Sequence, residues 1–283
     1  MRNIKKLHKA EYRPIGDLKT WSPMPTRELQ MLDPFLFLNH HGPQTYDANN
    51  QGLPFGPHPH RGMETVTFII EGDITHQDTG GHTSVIEAGG VQWMTAGSGL
   101  LHAEVSSEEF KKNGGDLEIL QLWVNLPERL KMMQPQYKGL QKEQISVWEN
   151  EEKSIKAQVV SGNFKGIRGA FDTPTSVDLA VVNFNANTTL DLEIPRDETI
   201  FFYVISGELN VNDILVPALH LAEFSNNSEI LNIQASVDSK LLIGHAKPLK
   251  ENVVFGGPFV MNSEDEIRQA YDDFHSGKMG SWD

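Results

Sequence analysis

The segment FIIEGDITHQD, Phe68 to Asp78, is answered far along the chain by YVISGELNVND, Tyr203 to Asp213. Each is a run of β-prone residues, a glycine turn and a second alternating run, the signature of two consecutive strands. A repeat of this kind in the two halves of a chain points to duplication of one β-barrel unit. Around these segments lie further short alternating runs: Leu117 to Val124, Lys156 to Val160, Leu179 to Phe184 and Ser239 to His245. Glycine and asparagine turns separate them at intervals that suit strands and not a βαβ array. The chain therefore reads as mostly β, of sandwich or barrel type. No glycine-rich phosphate loop of either common kind is present, which argues against an ATP or NAD enzyme.

A chain of 283 residues can form two domains of ordinary size without covalent help. The polar stretch Pro127 to Lys153, with ENEEK at its end, suggests a division into 1–135 and 136–283. Near the C-terminus Ser263 precedes Glu264, Asp265 and Glu266, a capping box at the positive end of a helix dipole. Ile267, Tyr271 and Phe274 recur at helical spacing before Gly277, so a single amphipathic helix is expected there, packed on a sheet edge.

Cysteine is absent, so disulfides, thiolate ligands and thiol nucleophiles are excluded. The opening residues MRNIKKLHKAEYRPIG hold no apolar run of signal-peptide length, and no stretch approaches the roughly 18 apolar residues of a membrane span. The expectation is a cytoplasmic protein without membrane contact. A formal net charge of -14 disfavours direct nucleic-acid binding. The cluster of Arg129, Lys131, Lys138 and Lys142 reads as solvated surface and not as a phosphate track.

Chemistry concentrates in two short segments. His58 and His60 in FGPHPHRG are two residues apart, which in extended backbone puts both imidazoles on one face, and Pro59 between them opposes a helix. His102 and Glu104 in LLHAEV repeat that spacing. If antiparallel strands bring the pairs opposite one another, three neutral imidazoles and one carboxylate converge on a single divalent transition metal. The donor set suits Fe(II), Mn, Co, Ni, Cu or Zn and suits a calcium cage poorly. An octahedral ion would keep two positions for water, oxygen or substrate. One His-x-His alone is more often a structural feature than a ligand pair; the second spaced pair makes the metal site the better reading.

The segments LDPFLFLNHHGP from Leu32, FGPHPHRGMETVTFIIEG from Phe55, GGVQWMTAGSGLLHAE from Gly89, LQLWVNLP from Leu120 and FGGPFVMNSEDEI from Phe255 resemble the pirin family of the cupin superfamily nearly end to end. The resemblance implies an all-β fold of two tandem cupin (jelly-roll) barrels packed face to face, with a short C-terminal helix. It implies a metal, usually iron, in the N-terminal barrel only, held by His58, His60, His102 and Glu104. Many metal cupins take their carboxylate from a position close to that of Glu64, and Glu64 is then the alternative to Glu104, or a residue beside the ligands. In the second half NFNANTTLDLEIP stands where a His-x-His strand would lie, and His220 and His245 read as isolated surface or structural histidines.

The same resemblance implies a quercetin 2,3-dioxygenase type of activity on a small aromatic substrate and O2. Glu104 would be the base and Glu64 its alternative, with Phe55, Met63, Phe68, Trp93 and Met94 offering apolar area. His40 and His41 are read as polar groups at a turn. A different class of function, an iron-dependent regulatory protein acting through a protein partner, uses the same four ligands, and so would an isomerase or hydrolase.

Overall fold

Period-two alternation in Met63–Glu71 and Gly115–Asn125 lays down the centre of a seven-stranded antiparallel sheet in the computed structural model, which describes residues 1–282. Inward of it, Phe55–His60, Leu100–Val105, Asp73–Asp78 and Thr83–Glu87 form a four-stranded sheet in that order. Leu18, Ile69, Ile74, Ile86, Leu117 and Ile119 form a core between these elements. The second unit repeats the plan with its own seven- and four-stranded sheets. Its core joins Val182, Phe202, Leu209, Leu231, Ile233 and Leu241. The chain is thus two cupin barrels built largely of strand, with one short C-terminal helix of twelve residues, Glu264–His275.

The two echoed segments occupy equivalent places. Gly72 (φ +83°) carries the chain from Met63–Glu71 in the larger sheet to Asp73–Asp78 in the smaller one, and Gly207 (φ +75°) does the same between Thr199–Ser206 and Glu208–Val211. A Cβ at Gly207 would lie 2.3 Å from Ser239 Oγ, so both the positive φ and the close approach require glycine.

The compact units are not two consecutive lengths of chain, and in this they differ from a division at 135/136. One contains Met1–Glu11, Ser22–Pro34 and Gln144–Pro248; the other contains Tyr12–Trp21, Phe35–Glu143 and the segment from Leu249 onward. The physical reason is edge pairing. Ile4–Lys9 adds an antiparallel strand beside His220–Phe224. Fully buried Arg2 locks it with hydrogen bonds to the carbonyls of Pro195 (2.9 Å), Glu198 (2.6 Å) and Ser225 (2.8 Å).

The C-terminal segment behaves likewise in the other unit. Ser263 Oγ accepts from the Glu266 amide, and the Glu266 carboxylate reaches back to the Asn262 amide at 2.9 Å. Ile267 and Ala270 then pack with Phe259, Met261 and Met279, while Tyr271 stays more than a third exposed. Arg61 Nη1 donates to Asp273 at 2.9 Å, and Thr79 Oγ1 to the Met279 carbonyl at 2.8 Å. Lys131 departs from the solvated reading. It is 1% exposed and its ammonium donates to the carbonyls of Gly62 (2.8 Å) and Val260 (2.9 Å) and to Asn125 Oδ1 (2.7 Å). No helix among the described residues is long and apolar enough to cross a membrane.

Candidate metal centre

Phe55–His60 runs antiparallel to Leu100–Val105 with His102 directly opposite His58 and Leu100 opposite His60. Residues opposite one another in such a ladder present side chains to the same face, and so do residues two apart on one strand. His58, His60 and His102 accordingly converge: one ring nitrogen from each lies within 4.8 Å of the others. His58 Nε2 and His102 Nε2 are 3.0 Å apart. Two nitrogens bound at right angles to one ion at about 2.1 Å are separated by about 3.0 Å, so the spacing fits a shared cation.

The far sides of two rings fix their tautomers. His58 Nδ1 is 2.7 Å from the Gly56 carbonyl and His60 Nδ1 is 3.0 Å from the Pro258 carbonyl. A carbonyl only accepts, so each Nδ1 carries the proton and each Nε2 keeps its lone pair for a metal. Burial, reinforced by His58, holds His60 down to about 3, and burial with the neighbouring imidazoles holds His102 well below the usual histidine value. The His60 and His102 rings are therefore neutral donors at physiological pH. His102 Nδ1 is buried with no hydrogen-bond partner among the described residues.

Glu104 lies outside that cluster. Its buried carboxylate accepts from Thr67 Oγ1 (3.0 Å) and Gln92 Nε2 on one oxygen and from Gln121 Nε2 (2.5 Å) on the other. Thr67 stands opposite Gln92 on one side and Gln121 on the other, so three adjacent strands present three donors to it on one face. The extra residue in this pairing lies on the Phe55–His60 strand, between Phe55 and His58, while Glu104 keeps a regular two-residue spacing from His102 along their common strand.

Glu64 stands on the opposite face of the same sheet. It pairs with Thr95, one step out of phase with Thr67 and Gln92, and its Oε1 accepts from Trp93 Nε1 (2.9 Å) and Thr95 Oγ1 (2.8 Å). Trp93 and Phe68 share that face and do not line the histidine cluster. His40 and His41 do not lie at a turn but are buried within the strand Phe35–Tyr46: His40 bonds Glu118 at 2.8 Å, whereas His41 bonds Thr20 Oγ1 at 2.9 Å and lies 5.2 Å from the Phe55 ring.

Several residues around the centre are not singled out by any paired spacing in the sequence. Trp123 packs edge-on against His60 at 5.2 Å. Buried His76 lies 5.5 Å from the His102 ring, is stacked on Tyr137 at 3.8 Å and bonds Asp78 through Nε2 at 2.9 Å. The Tyr137 hydroxyl in turn donates to Gln92 Oε1 at 3.1 Å, completing a path to Glu104. A signal for Gln92 and Gln121 does exist: each is a polar residue inside an apolar strand, and a buried amide needs a partner.

Comparison with known proteins places this geometry in a family. The family model Pirin matches residues 17–124, and the Pirin C-terminal cupin domain matches residues 179–280. Pirin of Homo sapiens is 35% identical over 261 residues, covering 89% of this chain and 85% of that protein. A Pseudomonas aeruginosa protein provisionally named a quercetin 2,3-dioxygenase is 37% identical over 250 residues, 88% of this chain and 87% of its own. The crystal structure of a quercetin 2,3-dioxygenase from Acinetobacter baumannii superposes with a TM-score of 0.92 at 33% identity, covering 99% of both chains.

Proposed function

This chain belongs to the pirin family of cupin proteins, and from that premise we propose that it is a metal-dependent dioxygenase of quercetin 2,3-dioxygenase type, opening a flavonol or similar enol-containing ring with O2. The observation that carries the reading is the convergence of three imidazoles, His58, His60 and His102, with two Nε2 atoms 3.0 Å apart. The names of two similar proteins, from Pseudomonas aeruginosa and Acinetobacter baumannii, support the chemistry.

His58, His60 and His102 would hold one divalent ion, with Fe(II) the first choice and Glu104 the fourth ligand. The ion would supply Lewis acidity that lowers the energy of the substrate enolate and bring O2 into reach of it. The chain itself supplies the base. Glu104 is preferred over Glu64, because Glu64 faces the other side of the sheet. Glu104 takes the flavonol hydroxyl proton, and Gln92, Gln121 and Thr67 hold the carboxylate in place before that transfer. Trp123 and the stacked Phe37, with ring centroids 4.5 Å apart, offer a flat apolar surface beside His60 for an aromatic substrate.

The test is oxygen uptake by anaerobically Fe(II)-loaded protein on addition of quercetin, against His102→Ala treated identically, with iron content measured in both. Uptake well above the control, lost in Glu104→Gln and kept in Glu64→Gln, is expected. Uptake equal to the control, with iron bound to the wild type, would refute the oxygenase and leave a metal-holding protein that acts through a protein partner.

A further inference from the structure

The second barrel gathers a different set of donors at one end of its larger sheet. Asp178 on Val177–Phe184 stands directly opposite His245 on Ser239–Ala246, and Ile200 of Thr199–Ser206 stands opposite His245 on the other side. Ile200 shares its face with Glu198, two residues earlier. Ala180, Ile200 and Ile243, the inward-facing neighbours, belong to the barrel core, so all three polar residues occupy the next inward positions at the barrel mouth.

There, one donor atom from each of Asp178, Glu198 and His245 lies within 4.8 Å of the others. His245 Nδ1 is 2.6 Å from Glu198 Oε2 and 3.9 Å from Asp178 Oδ2. The side chains are 28%, 13% and 14% exposed in the order Asp178, Glu198, His245, which is buried enough to weaken solvent screening and open enough for an ion to enter.

Asp178 is held in a built seat. Its Oδ1 accepts from the Asn163 amide at 2.6 Å, and Gly162 (φ +70°) leaves the room that the carboxylate fills: a Cβ there would fall 2.2 Å from Oδ1. That arrangement leaves Oδ2 to face His245. Among the described residues neither Asp178 nor Glu198 has a lysine or arginine ion-pair partner; His245 is the one basic group that reaches both. Arg2, the nearby guanidinium, bonds the Glu198 carbonyl and not its carboxylate. A cavity of about 470 Å³ adjoins His245, lined by the charged Lys165 and Glu193 and the apolar Phe164, Leu192, Ile194 and Ile243.

We propose that Asp178, Glu198 and His245 bind one divalent transition-metal ion at the mouth of the second barrel, independently of the histidines of the first. One imidazole nitrogen and two carboxylate oxygens form a mixed, borderline-hard set suited to Mn(II), Fe(II), Co(II) or Zn(II). Two facing carboxylates supply the charge, and His245 borders the cavity from which an ion would enter. On binding, the Nδ1 proton that now bridges to Glu198 is released to solvent and the nitrogen lone pair takes its place. The site is not the duplicate of the first: those ligands lie on the four-stranded sheet, whose counterpart here presents Leu190, Leu192, Leu231 and Ile233 inward.

The test uses full-length, tag-free protein, stripped with chelator, dialysed against Co(II) and counted by elemental analysis. The wild type is expected to hold two ions per chain. His102→Ala and His245→Ala should each hold one, and the double variant none. Glu198→Gln keeps a hydrogen-bond acceptor for His245 and guards against misfolding; in the His102→Ala background it should weaken Co(II) binding at least tenfold in a titration of the cobalt visible absorption. A single ion in the wild type that disappears in His102→Ala overturns the proposal, and so does a second ion that survives both His245→Ala and Glu198→Gln.

Discussion

Replacing Asp78 by asparagine tests the electrostatics behind the first barrel's centre. The Asp78 side chain is buried, and its carboxylate accepts from His76 Nε2 (2.9 Å), from the His82 amide (3.1 Å) and from His82 Nδ1 (3.1 Å). Burial alone would raise its pKa, but the hydrogen bonds from His76 and His82 outweigh burial and bring it from 3.8 down to about 2. A folded-state value below the unfolded one stabilises the fold wherever the carboxylate is ionised in both states. The contribution is therefore complete above about pH 4 and lost as pH falls through about 2. At about 1.4 kcal/mol per pKa unit, the difference between 3.8 and about 2 amounts to about 2 kcal/mol.

Asparagine keeps the shape, cannot ionise, and turns an amide toward one of the three donors. Urea unfolding of chelator-treated wild type and Asp78→Asn at pH 7, 5, 3.5 and 2.5 measures the difference without any contribution from bound metal. The wild type should lead by about 2 kcal/mol at pH 7 and 5, with the gap closing below pH 4. A gap that persists unchanged at pH 2.5, or none at pH 7, would refute the reasoning.

Lys131, brought by burial from 10.5 to about 8, acts in a higher window: its ion is disfavoured in the fold, so wild-type stability relative to Lys131→Met should rise from pH 7.5 to pH 10, by up to about 3 kcal/mol. Paired urea midpoints at the two pH values check this, and a constant difference would contradict it. The Asp273 carboxyl is held well below its usual range by Lys278 and Arg61, and Asp273→Asn leaves buried Arg61 without its ion partner. Amide exchange in Glu264–His275 should speed up by about tenfold or more, read by mass spectrometry. Gly207→Ala forces a Cβ to within 2.4 Å of the Asp238 carbonyl at positive φ and should cost about 1–3 kcal/mol in thermal unfolding, whereas Gly166→Ala, also at positive φ but with open space around it, should cost less.

Much of the barrel was legible because its information is local. Period-two alternation names the strands, the glycine of each echoed segment marks where the chain passes between sheets, and Ser263 with Glu266 marks a helix start; none of these needs a distant partner. The same locality made His58, His60 and His102 readable, since two-residue spacing on a strand fixes a common face before the partner strand is known. Alternation also puts Glu64 and Thr67 on different faces, but it does not say which face the histidines occupy, and only the register of Met63–Glu71 against Val91–Thr95 assigns Glu104 its three donors and Glu64 its tryptophan.

What the tertiary structure decided depends on contacts closed across long stretches of chain, whose pairing leaves no periodic trace in either partner. The Pro258 carbonyl that orients His60, the first strand that completes the second barrel, and the meeting of Asp178, Glu198 and His245 are of this kind. In isolation His245 is one histidine on a strand; the antiparallel ladder that sets Asp178 opposite it makes it part of a cluster. The sequence by itself determined the β units and the common face of the histidine pair, and three-dimensional closure determined which carbonyls, amides and carboxylates surround the histidines.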